Sequence, residues 1–404
     1  MSFKLKVTHT NIHTDNHHSY IEYIFNKRVS VSIININCNN FKINYCDNNN
    51  WSNAGSFQIN SEKLILEFPI NCTKIKIFPI IENCIFYGLL EKTIQAKLFN
   101  EYKLYYYNFD WQIPVITEQR IYDLFTYQKK IPLNYFAFPW ATLIDQYLYE
   151  KKYALYNLLI NFKVSENECF TVMQHIHFRK FLKLVKKINI THVFTPHVMR
   201  NDYLIEKEFN IKIIPLSLFP VQCKTYQPIS RFDQRKYLAS FIGNHTDKHY
   251  MTDIRVKIFD EFKYNDCFIH RNNEWYYQSI VYKKKQEFDK LNDENYKSNL
   301  EATKFTLCPS GSGPNSIRMW EAMSFGSIPV ILSDELVLPD IVDFNECSII
   351  YKEDEIGSLY NILRDINAEK WKKMSDKCIE YYKKYFSKYS MHQQIIEHFK
   401  KIEV

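Results

Sequence analysis

The 404-residue chain holds only seven glycines. Glycine alone reaches positive φ without steric cost and lets a backbone come close to a ligand, so the places where glycines gather carry weight. Other absences exclude whole classes. The ten cysteines, at 38, 46, 72, 84, 169, 223, 267, 308, 347 and 378, form no C-x-x-C pair. Neither a zinc site nor a disulfide framework is indicated, and buried free thiols are expected. No run of five Lys or Arg occurs and the net charge is a modest +7, which disfavours a nucleic-acid partner. The Lys283–Lys285 cluster reads as a solvated helix face. No apolar run approaches the ~18–20 residues of a membrane span, and the opening MSFKLKVTHTNIHTDNHH lacks the apolar core of a signal peptide. The expected location is cytoplasmic, with peripheral contact at the inner face of the membrane left open. His9, His13, His17 and His18 lack carboxylate or thiol spacing and read as a solvated loop, not a metal site.

What is present describes a globular chain of two to three domains, 46% apolar and 24% charged, with 30 Tyr and 30 Phe. Residues 1–100 carry short β-branched and aromatic runs (VSVSIININ, FKINYC, SFQIN, KLILEFPI, TKIKIFPI, CIFYGLL) separated by Asn-rich turns. They predict an all-β, sandwich-like or small-barrel domain, whose role in gripping a glycan, in assembly or in structure alone stays open. From about residue 101 strands alternate with amphipathic helices, the mark of a doubly wound sheet. CFTVMQHIH, THVFTPH and IKIIPLSLFP read as strands, with helices at FRKFLKLVKKIN and NDYLIEKEFN. This first Rossmann-like domain is assigned to 101–225. A second series, 226–404, begins with KYLASFIGNHT, then the helix TDIRVKIFDEF with Thr252 as its cap, the strand DCFIH, and a helix over Tyr282–Ala302.

The densest stretch is TLCPSGSGPNSIRMWEAMSFGSIPVILSDELVLP, Thr306–Pro339. It reads as strand, glycine loop, helix and strand, with Pro314 at the first helical position and Gly326 just past the helix end. A strand feeding a helix N-terminus through such a loop offers N–H groups and a positive dipole to a phosphate. Arg318 can fork onto phosphate oxygens. Glu321, three residues on and expected on the same face, can accept from ribose hydroxyls. Together they predict a nucleotide-diphosphate site. Arg318, Ser316 and the backbone of Ser310, Gly311, Ser312 and Gly313 are assigned to the pyrophosphate and Glu321 to the ribose. Arg235 and Lys236 are secondary phosphate candidates, and Asn315 and Gly243 complete the nucleotide-binding set.

At Pro309-x-Gly311, Asn315-Ser316-Ile317-Arg318, Glu321-Ala322 and Gly326-Ser327-Ile328-Pro329-Val330 followed by Asp334, the chain resembles exostosin-type glycosyltransferases. The PWATLID and QHIH segments resemble members of the bacterial or viral polysaccharide type. The resemblance implies a two-Rossmann GT-B fold, inversion at the anomeric carbon, a nucleotide-sugar donor such as a UDP-sugar, no metal or other cofactor, and a glycan or lipid-linked glycan acceptor. It also implies C-terminal helices that cross back to the first domain. The absence of any Asp-x-Asp excludes the metal-bridged site of single-Rossmann enzymes. In the Glu-x7-Glu pattern of many retaining enzymes, the partner of Glu321 falls on Gly313, which favours inversion. The base that inversion needs is sought among Asp145, at the end of the PWATLID stretch, and Asp110, His175 and His197, near predicted strand ends. Two alternatives remain: a non-catalytic glycan-binding or assembly protein on a degenerate transferase fold, and a retaining GT-B-like enzyme.

Overall fold

The computed structural model describes residues 2–4, 7–14, 19–35, 40–47, 50–58, 63–78, 85–89, 94–108, 110–222, 231–244, 250–272 and 290–402. The readings made on His17, His18, Lys283–Lys285 and the junction near residue 225 lie outside these residues. The chain separates into two compact units, 1–93 and 94–404. The division comes earlier than the expected 100/101 because Gln95–Phe99 pairs antiparallel with Tyr102–Tyr106 and so belongs to the second unit.

In the first unit seven strands join one antiparallel sheet. Its order is Ser2–Lys4, Ile85–Leu89, Ser19–Asn35, Lys63–Phe78, Asn40–Asp47, Asn50–Gln58, with Val7–Thr14 also on Ser19–Asn35. Period-two patterning explains the strands: in Lys74-Ile75-Lys76-Ile77 the isoleucines are buried and the lysines half-buried, as a pleated strand with one covered face requires. Tyr23 and Tyr45 both oppose Ile75. KLILEFPI and TKIKIFPI, read as two strands, form one, and its pairing shifts register near Pro69, where a residue without N–H is tolerated. His9 and His13 lie on the strand Val7–Thr14, opposite Ile24 and Tyr20 respectively, and not in a loop.

The second unit carries two separate sheets. The first runs Lys212–Pro215, His192–Thr195, Phe170–Val172, Tyr135–Ala137, Tyr102–Tyr106, Gln95–Phe99, parallel except for the last pair. The second runs Cys267–Arg271, Tyr237–Gly243, Thr303–Pro309, Ile328–Leu332, Ile349–Ile350, wholly parallel. Their continuous apolar runs suit strands covered on both faces. Two parallel sheets flanked by helices are compatible with GT-B architecture. The final helix, Gln393–Ile402, returns to the first sheet: Met391, Ile395 and Phe399 pack with Phe125, Phe170 and Phe194. Gln394 fixes that return by donating to Ser217 Oγ at 2.7 Å and accepting from Ser217 N at 3.0 Å. Cys169, Cys308, Cys347 and Cys378 are buried thiols. Among the described residues no helix is long and apolar enough to cross a membrane.

The loops beyond the carboxyl ends of the two sheets meet. Arg200 N donates to Glu335 O at 3.1 Å, Val337 N to Val198 O at 3.0 Å, and Asn315 Nδ2 to Pro196 O at 2.9 Å. In open α/β sheets this end is where ligands bind.

Candidate active site

On the second sheet, Thr303–Pro309 ends in the glycine loop and the helix Ile317–Ser324 follows. The helix starts three residues later than Pro314 would place it, because Ser316 takes the extended N-cap conformation. Gly326 sits past the helix end with φ 64°, the left-handed stop that glycine supplies. The loop is largely self-contained. Ser310 N donates to Leu332 O and Gly311 N to Gly313 O, each at 2.9 Å. Ser310 Oγ is buried against Thr252 Oγ1 at 2.9 Å and Glu353 Oε1 at 3.2 Å. Those groups, expected on the pyrophosphate, are spent inside the protein, and Thr252 contacts this loop instead of capping its helix. Asn315, with its amide on Pro196 and its Oδ1 accepting from Trp320 Nε1 at 3.0 Å, ties the two sheets together. Ser312 is exposed and Ser316 half-buried, while Gly243 is buried at its strand end with its carbonyl on Asn272 N at 2.7 Å.

Arg318 turns toward the strand Tyr237–Gly243. Its guanidinium lies 4.6 Å from the Phe241 ring centre, Nη2 donates to Ile242 O, and Nε is buried with no hydrogen-bond partner among the described residues. A second guanidinium, which the sequence reading missed, stands beside it. Arg255, on the helix Ile254–Glu261, lies 5.6 Å from the same ring and 4.3 Å from Tyr250. It donates to Ser310 O and Asn244 O, each at 2.9 Å. Burial, and then the positive charge of Arg318, push Arg255 down to about 10. Among the described residues neither arginine has a carboxylate partner. Each is the second residue of its helix, where a cation opposes the helix dipole. Two like charges on one aromatic ring, both at helix N-termini, are arranged to receive an anion.

Two expected members do not join them. Glu321 is 1% exposed, its oxygens accepting from Gln222 N and Tyr296 Oη, each at 2.9 Å. It holds the backbone at Gln222 and is not an open acceptor. Arg235 is buried under Trp371 and donates to the carbonyls of Leu300, Thr303 and Phe325. Leu300 and Phe325 lie at helix C-termini, whose carbonyls lack intrahelical donors, so Arg235 is a structural clamp.

On the first sheet two of the four base candidates come together. His175 Nε2 lies 3.1 Å from Asp145 Oδ1, and His175 Nδ1 accepts from His177 N at 3.0 Å. That second bond puts the ring proton on Nε2, so His175 donates to Asp145. Asp145 Oδ2 accepts from Gln112 Nε2 at 2.6 Å. The Asp145 side chain is 28% exposed and that of His175 10%. Both histidine nitrogens are occupied, and only the carboxylate retains lone pairs within reach of solvent. Asp110 is exposed on a left-handed turn, its carbonyl accepting from Thr142 Oγ1. His197 is sealed off: burial first, then His175 and Arg179, push it down to about 3.

Gly313 explains part of that sealing. A Cβ there would lie 2.7 Å from Ile176 Cγ2 and 2.8 Å from His197 Nδ1. Gly313→Ala is therefore expected to force the loops of the two sheets apart and cost about 1–3 kcal/mol of overpacking, read as a lowered melting temperature. An unchanged melting temperature would show that Ile176 and His197 yield freely. Among the described residues no three His, Cys, Asp or Glu side chains gather as a metal site would require.

The family model described as Exostosin GT47 domain matches residues 159–366. This span covers both arginines and His175 and stops short of Asp145 on the N-terminal side. A Probable glucuronosyltransferase of Oryza sativa subsp. japonica is 27% identical over 196 residues, 46% of this chain and 42% of that protein. A Probable beta-1,4-xylosyltransferase of Arabidopsis thaliana is 38% identical over 76 residues, 18% of each. The chain thus spans less than half the length of these relatives. A solved structure of the family 32 CBM from C. perfringens NanJ in complex with galactose is 18% identical, covers 19% of this chain and 70% of its own, and has a TM-score of 0.17; at that score it carries no fold assignment.

Proposed function

The chain belongs to the exostosin GT47 domain family, and from that premise we propose that it is an inverting, metal-independent glycosyltransferase of GT-B type. It moves a sugar from a nucleotide sugar, a UDP-sugar first among them, to a glycan acceptor in surface polysaccharide synthesis. The observation that carries the proposal is the Arg255–Arg318 pair on Phe241, two cations without a carboxylate partner among the described residues. They hold the diphosphate and take up the charge that grows on it as the bond between the anomeric carbon and the diphosphate oxygen breaks and the new glycosidic bond forms, the electrostatic task that dominates such transfers. Asp145 accepts the proton of the attacking hydroxyl, and His175 and Gln112 fix its orientation. With guanidinium groups on the diphosphate, inversion proceeds by direct attack on the face opposite the leaving group.

The relatives' names make UDP-glucuronic acid and UDP-xylose the first donors to assay, within a panel of nucleotide sugars. UDP release and transfer to oligosaccharides are the readouts, with the anomeric configuration of the product read by NMR. Turnover with inverted product, undiminished by EDTA, is expected. Net retention, or activity lost to EDTA and restored by Mg²⁺ or Mn²⁺, would refute the mechanism. Folded protein that neither turns over nor binds any donor would refute the activity.

A further inference from the structure

Behind Asp145 lies a chain of two amides whose direction is set at its far end. Gln174, 5% exposed, has its Oε1 on Glu118 N at 3.0 Å and its Nε2 on Val115 O at 2.6 Å. A backbone N–H can only donate and a carbonyl can only accept, so these two partners leave Gln174 one orientation. Its Nε2 then also donates to Gln112 Oε1 at 2.8 Å. That contact in turn decides Gln112: its oxygen faces Gln174, and its nitrogen donates to Asp145 Oδ2 at 2.6 Å. The polarity passes from the backbone to the carboxylate without a point at which it can reverse.

Glu118 anchors the far end. Its carboxylate is 2% exposed and accepts from Gln174 N at 2.9 Å and from Ala141 N at 3.1 Å. Ala141 is the second residue of the helix Trp140–Asp145, and Gln174 directly precedes His175. One buried side chain therefore grips both segments that present the Asp145–His175 pair. Burial pushes Glu118 up to about 8, against the pull of those N–H groups.

We propose that Gln112 and Gln174 are positioning residues for sugar transfer: a one-way amide chain, anchored on Glu118, that keeps an N–H donor against Asp145 and turns its carboxylate to the attacking hydroxyl. The proposal rests on Asp145 being the base. The groups facing Asp145 are Gln112 on Oδ2 and His175 on Oδ1. The His177 ring and the Glu118 carboxyl are its further titratable neighbours, and burial favours the neutral form of each.

Two variants test it in the full chain, assayed by UDP release from the donor that wild type turns over. Gln112→Leu removes the donor and is expected to lower kcat ~10-fold or more, as loss of a hydrogen bond to a charged group does. UDP affinity and melting temperature should stay near wild type, since Gln112 is half-buried in the irregular segment between the strand Tyr102–Tyr106 and the helix Thr117–Gln128. Gln112→Glu places a carboxylate against a carboxylate, where one proton must be shared. The acid limb of its kcat/KM profile is expected to move up by about one pH unit or more. A merely structural glutamine would not move that limb. Wild-type rates and an unmoved limb in both variants would overturn the proposal. So would rate losses that only track a fall in melting temperature and UDP affinity. Asp145→Asn, run in parallel, separates the two readings. If Asp145→Asn stays active, the base assignment has failed and the relay with it. If Asp145→Asn is inactive while both Gln112 variants match wild type, the relay alone has failed. No wild-type turnover on any nucleotide sugar takes down both.

Discussion

Asp145→Asn is expected to lower kcat by ~10²–10⁴, the range a positioned general base contributes, while UDP affinity stays within about twofold of wild type. The size of the loss follows from how few groups in the cluster can take a proton. His175 receives the His177 N–H on Nδ1 and gives its own proton toward Asp145 from Nε2, so its ring has no vacant nitrogen. His197 is 5% exposed with Nδ1 against the Gly313 backbone, too enclosed to meet an acceptor hydroxyl. Asparagine keeps the shape of the side chain but holds no exchangeable acceptor charge, and its amide would face the donors His175 and Gln112. His175→Asn should cost less, ~10-fold, because it removes an orienting bond and leaves the carboxylate. Asp145→Asn within a few-fold of wild type, by stopped assays of UDP release, would remove the base assignment.

The contrast between these residues shows what a sequence can carry. The strand-loop-helix-strand unit was legible because its signals are local: β-branched runs, two clustered glycines, and Gly326 at a positive φ that other residues resist. Alternation of strand and helix gave both parallel sheets. Asp145, at the end of PWATLID, and His175, near a strand end, could be nominated, but their pairing joins positions 30 apart and depends on the tertiary fold. Arg235 and Glu321 went astray for one reason. A charge next to a strand or on a short helix reads as solvated or ligand-facing, and only the fold shows that carbonyls or backbone N–H groups are waiting for it. Arg255 was missed although a trace of it was present. Ile254-Arg255 and Ile317-Arg318 both open helices after strands of the second sheet. A cation at a helix N-terminus is electrostatically misplaced, and two in equivalent positions are a legible hint of an anion between them.

That hint leads to the second large effect. Arg318→Ala is expected to lower kcat/KM by ~10²–10³, the loss typical of one transition-state donor in an enclosed site, and Arg255→Ala by a similar factor. The two should not add. Each guanidinium already stands in the repulsive field of the other, and the anion they share relieves both at once, so the double variant should lose less than the product of the single losses. Lysine should rescue neither fully, because an ammonium cannot reproduce the planar fork that reaches two oxygens, and the buried Arg318 Nε has no counterpart in it. Ligand linkage gives an independent readout. UDP at ~100 times its Kd is expected to stabilise the wild type by about 2.7 kcal/mol, and that rise in melting temperature should shrink or vanish in either single variant at the same UDP concentration. The cause would be lost charge, not lost structure, if circular dichroism matches wild type and the apo melting temperature changes little. Activity within a few-fold of wild type in both single variants, with the UDP-induced shift intact, would show that the diphosphate is held elsewhere.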